Sequence, residues 1–159
     1  MKVIISDTSP VQALHQLGLL QLLGDLFGSV TIPPTVRDEL ARHGFSTLPI
    51  FVEIATPSDR ARVASLENEL DAGEAEAIAL AIESKADLLL VDERLATRVA
   101  TDLGIRTMGV LGVLLLAKRE GRVAEVAPLI ERLRSELRFY VGSSVVAEIL
   151  ELAGEEPSD

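Results

Sequence analysis

The chain has 159 residues, of which 48% are hydrophobic and only 3% aromatic, with no cysteine and no tryptophan. That length fits one domain with an aliphatic core, placed at residues 1–154, before an acidic tail, Glu155–Asp159, expected to fray. Without cysteine there are no disulfides or thiolate metal sites, which fits a cytoplasmic protein, and a formal charge of −10 excludes loose, purely electrostatic binding to nucleic acid.

The first element is an apolar run into an aspartate, Lys2–Pro10 (KVIISDTSP). Met1–Ser6 is too short for a secretory signal, and Asp7 interrupts it. Val3–Ser6 reads as a buried strand of a parallel sheet, ending at Asp7. Ser9 is positioned to cap the helix that follows, and Pro10 suits its first turn. That helix is predicted over Pro10–Leu23, with Leu14, Leu17, Leu20 and Leu23 as its buried stripe.

A short strand at Val30–Ile32 leads to a helix at Pro34–Arg42. Phe51–Ala55 alternates and reads as an edge strand. Ser58 or Asp59 starts a helix to about Leu70, and Asp71–Glu74 starts another to about Ser84. Ala86–Val91 is the second strongly apolar strand, ending at Asp92. A helix over Glu93–Leu103 stops at Gly104, and Ile105–Met108 is a last short strand. Helices are predicted at Gly109–Arg119, Val123–Leu137 and Ser144–Ala153, the last with Ser143 as a cap and Gly154 as its stop. The apolar run Val110–Ala117, broken only by Gly112, is too short to cross a bilayer. Strands alternating with helices predict an α/β protein, a three-layer α/β/α sandwich around a mainly parallel sheet.

Four acids stand out: Asp7, Glu39, Glu74 and Asp92. In open α/β sheets ligands bind beyond the carboxyl ends of the strands. Asp7 and Asp92 end the two most apolar strands, so parallel neighbours would bring both to one edge. Glu74 lies in the first turn of the helix that feeds the Asp92 strand, hence at that same edge. Glu39 falls late in its helix, and only tertiary folding could bring it in. Clustered carboxylates repel one another unless cations hold them together. Hard oxygen ligands suit Mg²⁺ or Mn²⁺, which bind phosphate and activate water. Each acid also has a plain structural role open to it. Asp7 and Asp92 could cap helices, Asp71 and Glu74 have capping-box spacing, and Glu39 could be an exposed helix residue.

SDTSP at Ser6–Pro10, IPPTVRDEL at Ile32–Leu40, LDAGEAEAIALA at Leu70–Ala81 and LLLVDERLATRVA at Leu88–Ala100 together resemble the motifs of PIN domains. The likeness is closest to the VapC-like toxins of bacterial and archaeal toxin–antitoxin pairs, and covers about Met1–Leu116. It implies an Mg²⁺- or Mn²⁺-dependent endoribonuclease whose catalytic and metal-binding acids are Asp7, Glu39, Glu74 and Asp92. It also implies an RNA substrate, a cognate antitoxin and a homodimer. The family usually has aspartate at the third place, so Glu74 is a departure. Glu76 competes for that place, but Glu74 has the family's spacing to Asp92 (92 − 74 = 18). Ser9 resembles the family's small hydroxyl beside the first acid.

Arg94 and Arg98 share a helix face and could meet phosphates, or pair with Glu93 or Asp102 on a solvated surface. His15 and His43 are isolated, and a metal-assisted mechanism needs no imidazole base. Val110–Leu116 is either core or the apolar helix of the dimer. The competing function is a non-catalytic PIN-like module that binds a protein partner or RNA. A receiver-type signalling domain would need a lysine within Ile105–Val110, and a haloacid-dehalogenase-like phosphatase an aspartate where Ser9 stands; neither is present.

Overall fold

The structure is a computed structural model and describes residues 2–156. In chain order its elements are β1 (Ile4–Ser6), α1 (Thr8–Gln16), α2 (Leu22–Phe27), β2 (Val30–Ile32), α3 (Pro34–Arg42), β3 (Val52–Ile54), α4 (Arg60–Leu66), α5 (Ala72–Glu83), β4 (Leu88–Leu90), α6 (Arg94–Asp102), β5 (Thr107–Met108), α7 (Val110–Arg119), α8 (Ala127–Ser135) and α9 (Ser143–Ala153). The five strands form one sheet in the order β3-β2-β1-β4-β5, with every pairing parallel. β3 is an edge strand, as its alternation predicts.

Strand order reverses direction between β1 and β4, where the chain goes from building one half of the sheet to building the other. Their register is Ile4↔Leu88, Ile5↔Leu89 and Ser6↔Leu90. Side chains alternate across a strand. Ile4 and Leu90 therefore join the core under α1, α2, α3, α7, α8 and α9, while Ile5, Leu89 and Val91 join the core under α5 and α6. α4 lies outside α5, with Val63 packed on Ala75 and Ala79. This is the three-layer α/β/α sandwich, with a sheet that is wholly parallel. No helix among the described residues is long and apolar enough to cross a membrane.

Several expectations need correction. The single helix over Pro10–Leu23 is two helices. The chain turns at Gly18, whose φ of +74° is left-handed and open to glycine without strain, and Leu23 belongs to α2. α1 begins earlier, at Thr8. Asp7 occupies the cap position in extended conformation, and Ser9 lies inside the helix, so Ser9 is no cap. Gly142, not Ser143, occupies the cap position of α9. α8 is much shorter than the Val123–Leu137 pattern allows.

The apolar stretch Val110–Leu116 is core. Val110, Val113 and Leu114 are fully buried. The acidic tail does not fray at its start. The Glu155 carboxylate accepts from Lys118 Nζ at 2.7 Å and from the Val126 and Ala127 N–H groups at 2.7 and 2.9 Å, which ties the end of α9 to α7 and to the start of α8. Residues 157–159 lie outside the described residues.

Candidate functional site

Asp7 and Asp92 emerge at the same edge of the sheet, at the point where strand order reverses. The Asp7 N–H donates to the Leu90 carbonyl at 2.9 Å, which locks the end of β1 to β4. Helices α1, α5, α6 and α7 are among those that begin at this edge. Their N-terminal N–H groups carry partial positive charge and favour anions.

Asp7 is 4% exposed, and its Oδ1 is, among the described residues, the one buried side-chain oxygen or nitrogen without a hydrogen-bond partner. Burial raises its pKa from 3.8 to about 7, against the effect of the neighbouring Thr8 N–H, and the charges of Glu74, Asp71 and Glu39 raise it further. An orphaned buried oxygen in a native fold calls for a water or an ion.

Glu39 reaches this place through tertiary packing. The Thr8 hydroxyl donates to Glu39 Oε2 across 31 residues of sequence. On its other side the carboxylate lies over Gly73, where a β-carbon would stand 2.7 Å from Oε1. Glycine in the first turn of α5 is thus what gives the Glu39 carboxylate its space.

Glu74 is held by a complete capping box. Asp71 Oδ1 accepts from the Glu74 N–H at 2.9 Å, and Glu74 Oε1 accepts from the Asp71 N–H at 3.2 Å. Its second oxygen, Oε2, has no hydrogen-bond partner among the described residues. Burial lifts its pKa to about 7, against the Asp71 N–H bond, with Asp71, Glu93 and Glu39 adding repulsion. The capping role and the site position therefore coexist in one side chain. Glu93 itself caps α6 by accepting from the Ala96 N–H at 2.8 Å.

Asp92 behaves differently. Both its oxygens face the Val110 N–H, at 3.1 and 3.2 Å, at the first turn of α7. Burial raises its pKa to about 6, and the Val110 N–H works against that rise. Its oxygens are thus held against the start of α7. Shared placement at one edge has not drawn the four acids into a ready-made cage: among the described residues no three acidic or histidine side chains are grouped to hold an ion.

Glu76 is committed elsewhere. It is 5% exposed, and it accepts from the Thr35 N–H at 3.0 Å and from Arg60 Nη1 at 3.1 Å. It thereby serves the first turn of α3, where Pro33 provides no side-chain cap. Burial would raise its pKa, but the Thr35 and Arg60 bonds outweigh that and hold it below the usual carboxylate value.

Arg94 and Arg98 are exposed, and neither forms an ion pair with a described residue. The pairing with Glu93 or Asp102 is therefore absent. His15 sits in the last turn of α1 with its ring 4.3 Å from that of Phe45, far along the helix from Asp7. Ser9 makes no side-chain hydrogen bond among the described residues, whereas Thr8 does. Thr8 is the residue that sequence reasoning missed. Its adjacency to Asp7 was the available signal, but its partner lies on another helix.

Asp7 Oδ1, Glu39 Oε1 and Glu74 Oε2 are carboxylate oxygens with no hydrogen-bond partner among the described residues, and oxygen donors of this kind are the type a hard divalent cation takes. Comparison with known proteins adds one positive finding: a family model, DUF3368, described as a PIN domain, matches residues 3–155. No curated protein matches the chain.

Proposed function

The chain belongs to the PIN-domain family, and from that premise we propose that it is an Mg²⁺- or Mn²⁺-dependent endoribonuclease, the toxin of a toxin–antitoxin pair, with Asp7, Glu39, Glu74 and Asp92 as its metal-binding and catalytic acids. Its fold is of nuclease type. The observation that carries the reading is Asp7. It is a buried carboxylate with an orphaned oxygen, set among Glu39, Glu74 and Asp71, with its pKa pushed to about 7. A folded protein keeps so costly an arrangement where a cation relieves it.

Asp7, Glu39 and Glu74 would hold the ion, with Asp92 as the acid that closes the group from the neighbouring strand. A divalent ion there supplies positive charge to a phosphate and acidity to a bound water. The chain itself does the positioning. Strand pairing fixes Asp7 beside β4, the capping box fixes Glu74, and the N-termini of α1, α5, α6 and α7 offset the negative charge of the acids. Arg94 and Arg98, exposed and unpaired near the start of α6, are the groups that would meet the RNA backbone. The acidic protein then depends on the ion and on these two side chains for affinity. A cognate antitoxin and a second copy of the chain complete the reading.

The alternative is a PIN-like module that binds RNA or a protein without cutting. Asp92 favours it, since both its oxygens face the Val110 N–H at the start of a helix. The test is cleavage of single-stranded RNA with Mn²⁺, with and without chelator, by the parent and by Asp7→Asn. Cleavage that needs Mn²⁺ and vanishes in Asp7→Asn supports the enzyme. RNA binding without any cleavage supports the module.

A further inference from the structure

We propose that Thr8 is a positioning residue for Glu39, and that its hydroxyl, with the bare Cα of Gly73, forms the seat that brings the second acid to the metal site; this rests on the metal-site reading above. Glu39 comes from α3, which contributes no other acid to the group. Nothing in the sequence of α3 marks where that side chain goes. Two contacts place it beside the start of α1 and of α5 in the fold. Thr8, itself 8% exposed, donates its hydroxyl to Glu39 Oε2. Gly73 leaves open the space into which Oε1 fits, a space a β-carbon would close at 2.7 Å.

The consequence is chemical. A carboxylate has two oxygens, and Thr8 occupies one, so the other is left for an ion. The hydroxyl also fixes the rotamers of a long side chain. That ordering cost would otherwise be met when the ion binds. Thr8 follows Asp7 directly, so one short segment supplies the first acid and the anchor of the second. Thr8 acts through Glu39.

The experiment measures Mn²⁺ binding by calorimetry on the parent, Thr8→Val, Thr8→Ser, Gly73→Ala and Asp7→Asn, with RNA cleavage and melting in chelator alongside. Valine keeps the shape of threonine and removes the hydroxyl, and serine keeps the hydroxyl. Thr8→Val is expected to bind Mn²⁺ roughly tenfold or more weakly, the scale of one hydrogen bond to a charged group. Thr8→Ser should recover most of the parent affinity. Gly73→Ala, which crowds the same carboxylate from the other side, should also bind more weakly. In cleavage the loss should fall on kcat at fixed Mn²⁺, with KM for RNA little changed. Thr8→Val binding Mn²⁺ like the parent, or Thr8→Ser failing as badly as Thr8→Val, would overturn the proposal. So would a Thr8→Val that only melts lower. If Thr8→Val does not fold, parent-like Mn²⁺ affinity in Gly73→Ala overturns it instead. A parent that binds no Mn²⁺, or an Asp7→Asn that binds it unchanged, sinks the metal-site reading itself, and Thr8's role with it.

Discussion

Asp7→Asn separates a residue kept for a ligand from one kept for the fold. In chelator, ionised Asp7 is a burden on the folded state. Its pKa is 3.8 when exposed and about 7 in the fold. Above pH 8 that gap of about three pH units amounts to about 4 kcal/mol, at about 1.36 kcal/mol per unit. The sign follows from proton binding. Between pH 4 and 7 the folded state holds a proton that the unfolded state has released, so stability falls as pH rises through this window and levels off above it. At pH 5 the burden is less than half its value above pH 8.

Neighbouring carboxylates relax once Asp7 is neutral, and an asparagine amide brings donors of its own to satisfy, so about half the ceiling, about 2 kcal/mol, is the expected gain at pH 8. For a chain of this size that is a rise in Tm of roughly 4–8 °C. Thermal unfolding followed by circular dichroism at pH 5 and pH 8, in chelator, reads it directly. Saturating Mn²⁺ should reverse the order, because only the parent gains ligand stabilisation. If Asp7→Asn melts lower than the parent in chelator at pH 8, Asp7 is a structural residue and the argument from its orphaned oxygen fails.

Arg94→Ala with Arg98→Ala should weaken RNA binding while leaving Tm within about 1 °C, since both side chains are exposed and unpaired. The parent's affinity should fall with salt at a log–log slope of only about −1 to −2, at about −0.7 per phosphate contact, and the double variant's slope should approach zero. A double variant that binds and cleaves like the parent would make these arginines a plain helix surface. At the other end of the chain, Glu155→Ala should cost about 2 kcal/mol, because three donors lose a charged acceptor. Burial pushes the Glu155 pKa up, but the Lys118, Val126 and Ala127 donors outweigh it and hold it below 4.5. Its contribution is therefore present above that pH and is lost as pH falls through the folded value. An unchanged Tm at pH 7 in this variant would show that the tie from α9 to α7 and α8 carries no weight.

Strand ends and helix starts were legible because they are local. Val30–Ile32 and Pro34–Arg42 follow from β-branched runs and proline placement, and Asp71 with Glu74 announces its capping box three residues apart. The same locality put Asp7 and Asp92 at strand ends, and the alternation of strands and helices put those ends at one edge of a parallel sheet. Periodicity failed where one residue overrode a pattern. The leucines from Leu14 to Leu23 keep helical spacing through Gly18, but the backbone turns there into two helices. What the sequence could not carry is the direction in which each carboxylate turns. Asp92 faces the Val110 N–H, Glu76 the Thr35 N–H and Arg60, and Glu39 the Thr8 hydroxyl, each at a separation of 16 to 41 residues. A carboxylate near several donors goes to whichever the packed helices bring closest. That choice is made by the distances between α1, α3, α5 and α7, which exist only once the sheet has assembled.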